Sequence, residues 1–342
     1  MTTSTTNPNI GTLPMIFALA AYNENPQSVL DQYPGFTNGW SVVWANNYSD
    51  PNFAFAASNN SECIVAIRGS LLQFSETGFV DWFKEDFNVF KQDPWTTFVP
   101  SSVSGNYNAC ISAGAGDGLA ALQTMVDTDT NVTLPNFLMG MISSYDLQVT
   151  ITGHSLGGNL ASVFAPWMQW YLNNEPSSKY YGRNTPYPNM QVFTFAAPAA
   201  GNVDFADYYN TLFAGNSFRF YNTNDVIPMC PASLGSVANM YSGGPDANNI
   251  GFTLDGLQIT LHDFFDGVRD AIDLDMLKNG YFGYMQTNAN EGSFSFTVPI
   301  DSSYTSNTLG DWLEQIGNQH SSLNYVAYFL ALPQPLKPAQ NS

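Results

Sequence analysis

Leu147-Gln148-Val149-Thr150-Ile151-Thr152-Gly153-His154-Ser155-Leu156-Gly157-Gly158 is the stretch that decides the fold. Its first six residues alternate Leu, Val and Ile with Gln and Thr, which predicts a strand. Gly153 and Gly157 bracket Ser155 in the pattern G-x-S-x-G, and the text after Gly158 turns helical through Asn159-Leu160-Ala161-Ser162-Val163. A strand, a tight glycine-flanked turn and a helix are the context that a nucleophile elbow needs. The glycines are there for space, because side chains two before and two after the serine would collide. The Leu156 N–H then lies at a helix N-terminus, ready to stabilise an oxyanion. The competing reading is a glycine-rich strand–helix turn with an idle serine, so the rest of the chain has to supply a base, an acid and a second oxyanion donor.

Composition narrows the class. The chain has 342 residues, 44% hydrophobic and 15% aromatic, enough for one large core. Charged residues are 11% and the net charge is −19. That excess of acids argues against nucleic acid and against basic docking on anionic membranes. It leaves apolar contact with a lipid surface open. Few charges among many Asn, Ser and Thr suit a secreted enzyme, although a cytoplasmic one fits as well. Cys63, Cys110 and Cys230 have no C-x-x-C spacing, so neither a zinc nor a redox motif is present. Residues 13–22 are apolar but no Lys or Arg precedes them, so they lack the n-region of a signal peptide and read as the first helix. No apolar run approaches the ~18 residues of a membrane span.

Residues 40–44 and 52–57 read as two short strands. Glu62-Cys63-Ile64-Val65-Ala66-Ile67 is the near-continuous apolar run of a strand buried on both faces, and it exits through Arg68-Gly69-Ser70. Residues 71–91 mix Leu71, Leu72, Phe74, Phe79, Val80, Trp82 and Phe83 with Glu76 and Asp81, as an amphipathic cover or an ordinary surface helix would. Residues 101–118 read as a loop, and 119–126 as a helix. Asp127-Thr128-Asp129-Thr130-Asn131 has Val132 where a calcium loop needs glycine, so it reads as a turn. Strands are expected at 191–196 and 217–222, with a helix between them. Residues 231–305 read as an insertion containing a helix at 264–277 and a hairpin-like 293–298. Alternating strands and helices give a mostly parallel sheet, and the whole of 1–342 reads as one α/β domain.

The base must come from three histidines. His154 is inside the elbow. His262 sits among apolar residues, as a packed structural histidine would. His320 lies in Gly317-Asn318-Gln319-His320-Ser321-Ser322, a polar stretch read as a late loop, where an α/β hydrolase carries its base. Asp225, in the exit loop Thr223-Asn224-Asp225-Val226-Ile227-Pro228, is the candidate acid. Asp204, Asp207 and Asp246 compete, the first two on a helix face and the third in a Gly/Pro turn. The order Ser155, Asp225, His320 is the order of the α/β-hydrolase fold.

These segments together resemble the class 3 lipases, the family of the filamentous-fungal triacylglycerol lipases. Ile64 to Ser70 resembles a strand ending in R-G-S/T. Asp81-Trp82-Phe83-Lys84-Glu85-Asp86-Phe87 resembles N-W-x-x-D-L. Thr152 to Gly158 matches T-G-H-S-L-G-G in full. Residues 194–205 resemble T-F-G-x-P-R-V-G-N, and Tyr221 to Pro228 resembles N-x-x-D-x-V-P, whose aspartate is the family's triad acid. The likeness runs from about residue 62 to 230, with His320 as a looser sixth match.

The resemblance implies an α/β-hydrolase fold and a lipid-ester hydrolase working at an oil–water interface without cofactor or metal. A phospholipase or short-chain esterase is the nearest alternative, and a binding protein with a dead site a remote one. The catalytic residues implied are Ser155, Asp225 and His320. Ser70 and Leu156 would form the oxyanion hole through their backbone N–H groups. The lid would run from about 71 to 83, with Leu71, Leu72, Phe74, Phe79, Trp82 and Phe83 as its apolar side. Three departures stand out: Asp81 replaces the usual Asn before Trp82, the stretch from Ser70 to Trp82 is long, and Gln319 precedes His320 where an Asp is common. The insertion at about 231–305 has no counterpart in the likeness.

Overall fold

In chain order the strands are β1 (Ser41–Ala45), β2 (Ala54–Ser58), β3 (Glu62–Ile67), β4 (Gln92–Pro94), β5 (Cys110–Ser112), β6 (Gln148–His154), β7 (Met190–Phe195), β8 (Gly201–Asn202), β9 (Ser217–Asn222), β10 (Gly251–Leu254), β11 (Leu257–Thr260), β12 (Tyr284–Met285) and β13 (Ser293–Phe296). The longer helices are α1 (Thr12–Ala20), α2 (Ala113–Thr124), α3 (Leu134–Tyr145), α4 (Leu156–Asn174), α5 (Val203–Leu212), α6 (Leu261–Asn279), α7 (Leu309–His320) and α8 (Ser322–Phe329). The computed structural model describes residues 8–71, 88–100, 108–241, 243–254, 256–279, 283–288 and 291–332.

The main sheet has the order β1-β2-β3-β6-β7-β9-β13. β1, β2 and β3 pair antiparallel, and every pairing from β3 to β13 is parallel. β3 alternates between two cores, as its continuous apolar text requires. Cys63, Val65 and Ile67 join Val149, Ile151, Leu160 and Phe164 on the α4 side. Ile64 and Ala66 join Ile16, Phe17 and Ala20 of α1 on the other. Each large side chain so covered contributes roughly 1.5–3 kcal/mol relative to exposure. This two-sided packing fixes the central strands, and β3 and β6 both deliver their C-terminal ends to one edge, where an open α/β sheet binds its ligands.

Three expectations change. The helix expected at 119–126 starts earlier, at Ala113, because Ser112 caps it by accepting the Ala115 N–H, and its glycines disguised the pattern. The hairpin expected at 293–298 is instead an edge strand: β13 pairs parallel with β9, Ser293 opposite Arg219 and Phe296 opposite Asn222. The hairpin of this region is β10–β11. Gly317 to His320 belongs to α7 and not to a loop. The stretch looked exposed because Gln315, Asn318 and Gln319 are polar, yet all three are buried. The 231–305 segment is tied into the fold through β13, and through Phe265 of α6, whose ring lies 5.6 Å from that of Trp312 in α7. The turn at Asp127 is as expected, its carboxylate accepting N–H groups from Ala45 at 2.9 Å and Thr130 at 2.7 Å.

Candidate active site

Ser155 has φ 60° and ψ −132° and stands between the end of β6 and the start of α4. A positive φ on a non-glycine residue is strained and persists only where the surroundings enforce it. Here a side chain on Gly153 would meet the Gly157 backbone, and one on Gly157 would meet the Ile67 carbonyl oxygen. The turn therefore closes against β3 only because both positions lack a Cβ. Leu156 is the first residue of α4, so its N–H has no partner within that helix.

The exit of β3 is pressed onto this turn. An atom at the Cβ position of Gly69 would lie 3.0 Å from Ser155 Cβ. Ser70, the next residue, is half-buried, and its hydroxyl oxygen is buried with no hydrogen-bond partner among the described residues. Arg68 anchors the segment from below: its guanidinium donates to the carbonyls of Tyr48 at 2.9 Å and Asp50 at 2.7 Å, over the Tyr48 ring.

His320 ends α7. Its Nε2 lies 2.8 Å from Ser155 Oγ, and its Nδ1 lies 2.8 Å from Asp225 Oδ2. A carboxylate only accepts, so Nδ1 carries the proton and Nε2 accepts the serine hydroxyl. Asp225 is fully buried in the loop after β9. A charge there needs full satisfaction. Its Oδ1 accepts the Ile227 N–H at 3.0 Å, and its Oδ2 also accepts the Tyr325 hydroxyl at 2.9 Å. Nearby, the buried Arg219 guanidinium bridges β9 to the loop through the Pro228 carbonyl at 3.1 Å.

Ser155, Asp225 and His320 are thus brought together. The competing residues are not in this chain of bonds. His262 lies on the first turn of α6, partly exposed and 3.5 Å from Asp266, where a packed histidine had been expected. Asp204 and Asp207 ride on α5, and Asp246 accepts the Asn248 N–H at the start of a short helix. Of the expected lid, Leu71 is described and exposed; Leu72, Phe74, Phe79, Trp82 and Phe83 lie outside the described residues.

Sequence reasoning missed a layer behind the triad. The His154 ring packs against the His320 ring with centroids 4.7 Å apart. Burial first, and the neighbouring His320 second, hold His154 well below the ordinary histidine range, so it stays neutral. The half-buried Tyr22 places its hydroxyl 3.0 Å from His154 Nδ1 and 3.3 Å from the His154 carbonyl oxygen, where a side chain on Gly69 would meet it, so it packs between the β3 exit and the elbow. Nothing in the local text near Tyr22 marks this, because its partners are far along the chain.

Against known proteins, the family model described as "Lipase (class 3)" matches residues 65–234. A secreted mono- and diacylglycerol lipase A of Penicillium cyclopium is 32% identical over 91 residues, 26% of this chain and 25% of that protein. Phospholipase A1-II 1 of Oryza sativa subsp. indica is 31% identical over 94 residues, 28% of this chain and 21% of that protein. The chain spans about a quarter of the length of the curated relatives it matches. Among solved structures, the M37 lipase superposes with a TM-score of 0.64 at 21% identity, covering 95% of this chain and 94% of that one, which is a likeness of fold.

Proposed function

We propose that this chain, whose residues 65–234 match the class 3 lipase family, is a serine hydrolase of lipid carboxylic esters, with triacylglycerols the foremost candidates. The observation that carries the reading is the continuous line Ser155 Oγ–His320 Nε2 and His320 Nδ1–Asp225 Oδ2, both links 2.8 Å long. It also speaks against a dead binding protein, whose triad would have no reason to stay in register.

In the proposed cycle Ser155 Oγ attacks the ester carbonyl as its proton passes to His320 Nε2. The carbonyl oxygen becomes an oxyanion held by the N–H groups of Ser70 and Leu156, each worth roughly 3 kcal/mol. The Ser70 side chain also carries a buried hydroxyl that has no partner among the described residues. Collapse breaks the C–O bond, and His320 gives its proton to the leaving alcohol. Water then attacks the acyl-enzyme, yields a proton to Nε2, and the acid leaves as Ser155 regains its hydrogen. Asp225 stays ionised and stabilises the transient imidazolium. No step calls on a metal or cofactor.

The lid at about 71–83 and interfacial action belong to the same proposal. Large apolar residues over a site cost roughly 1.5–3 kcal/mol each when exposed to water, and a lipid surface removes that cost. The rice relative's phospholipase name keeps a phospholipid ester as the second substrate reading. Among the described residues no helix is long and apolar enough to cross a membrane. The Penicillium relative's printed name and the low charge content support action outside the cell.

Rates on p-nitrophenyl esters of rising chain length, dissolved and emulsified, test the reading. Activity should rise on long chains when emulsion forms, and Ser155→Ala should abolish it while leaving the fold intact. Activity of Ser155→Ala above a hundredth of wild type would sink the nucleophile. Replacing Leu72, Phe74 and Phe79 by Ser should cut the emulsion gain more than soluble turnover; equal loss of both would refute the lid.

A further inference from the structure

Asn222, Gln315 and Gln319 are amides with no exposure at all, in places where leucine would be cheaper to bury. They form one ladder. Asn222 Oδ1 accepts the N–H groups of Asn224 at 3.1 Å and Val298 at 2.9 Å. Its Nδ2 donates to the Gln319 carbonyl at 3.0 Å and to Gln319 Oε1 at 2.8 Å. Gln319 Nε2 donates to the Pro299 carbonyl at 3.0 Å and to Gln315 Oε1 at 3.3 Å. Gln315 Nε2 closes the ladder on the carbonyls of Asp301 at 3.0 Å and Tyr304 at 3.2 Å. The orientation of each amide is forced by backbone partners, since an N–H can only donate and a C=O can only accept.

The ladder joins two particular points. Asn222 starts the turn that carries the acid: the Asp225 N–H bonds the Asn222 carbonyl at 3.0 Å. Gln319 immediately precedes the base. Its carbonyl is among the last four of α7, which have no partner inside a helix, and Asn222 Nδ2 captures it. A helix end otherwise frays, and fraying at His320 would open both bonds of the triad. The third anchor is the segment 297–304 after β13, so the chain between acid and base closes the triad with its own backbone.

We propose that the Asn222–Gln319 pair is the positioning device of the acid–base half of the site, setting the distance from the Asp225 carboxylate to the His320 imidazole. The proposal rests on the triad reading above. It accounts for the departure at position 319: the glutamine spans two partners at once, an acceptor for Asn222 and a donor to Pro299. Neither residue touches the reacting atoms.

The test is Gln319→Met, close in length and without polar atoms, assayed on a dissolved short-chain ester. Misplacing the imidazole should lower kcat by about tenfold to a hundredfold with KM within a factor of about two. The far-downfield proton signal of the His320 Nδ1–H shared with Asp225 should broaden or move. A folded Gln319→Met with wild-type kcat and an unmoved signal overturns the proposal, as does a loss confined to KM. If that variant fails to fold, Asn222→Asp replaces it: the side chain keeps its shape and its Oδ1 acceptor for the Asn224 and Val298 N–H groups but loses the Nδ2 donor to Gln319. The same fall in kcat supports the pair, and unchanged kcat refutes it. A wild-type protein that neither hydrolyses the ester nor labels at Ser155 with a fluorophosphonate refutes the hydrolase reading instead.

Discussion

Tyr325 donates its hydroxyl proton to Asp225 Oδ2 at 2.9 Å, the same oxygen that faces His320 Nδ1 at 2.8 Å. The same hydroxyl accepts the Asn222 N–H at 3.0 Å. Tyr325→Phe therefore removes one of the bonds to a buried carboxylate and leaves a backbone donor unmet. The expected cost is about 1–3 kcal/mol of stability, read by denaturant midpoint, with a fall in kcat on a dissolved ester. A variant as stable and as active as wild type would show that the hydroxyl is idle.

The histidines separate cleanly. His320→Ala should lose nearly all activity, on the order of a thousandfold or more, because a serine without its base is a weak nucleophile. His262→Ala should keep most of it, since His262 meets Asp266 on the partly exposed first turn of α6. Rates for the two purified proteins decide the matter, and a reversed result would move the base to His262.

Acid should weaken the fold through His154. Burial depresses its pKa from 6.5, so the unfolded chain takes up a proton that the folded one refuses. Stability from this residue is full above pH 6.5 and falls as pH drops below it, by up to about 1.4 kcal/mol per pH unit. Melting temperatures between pH 8 and 5 should fall less steeply in His154→Gln than in wild type. Parallel curves would mean that His154 is protonated in the native protein.

Thiol chemistry gives a test independent of catalysis. All three cysteines are buried. Burial pushes the Cys63 thiol up to about 12 and raises Cys230 as well, with Asp225 adding to the effect at Cys230. Reactivity belongs to the thiolate, so a disulfide reagent at pH 8 should find no fast thiol in the native protein and three after unfolding. A rapid native equivalent would place one of them at the surface.

The elbow, the exit of β3 and the acid loop could be read because each is local: the strand, its glycines and the polar residue at its end lie within a few positions. β3 and β9 emerged with the bounds expected from their apolar runs. His320 was found by its place late in the chain, yet its helix was missed because α7 buries amides instead of leucines. Tyr22, Tyr325 and the Asn222–Gln319 pair could not be read, since each acts through a partner on a distant segment; Gln319 showed only as an unexplained departure. The text of β13 reads as a hairpin because short alternating sequence does not say whether its partner runs parallel or antiparallel.

Ser155 and His320, the proposed nucleophile and base, are separated by 165 positions. At a synthesis rate of roughly 5–20 residues per second, the elbow precedes His320 out of the ribosome by roughly 8–33 seconds. Throughout that interval the proposed base is absent and cannot take the proton of Ser155. On the proposed mechanism, hydrolysis would therefore report that synthesis has passed α7 and that α7 has docked.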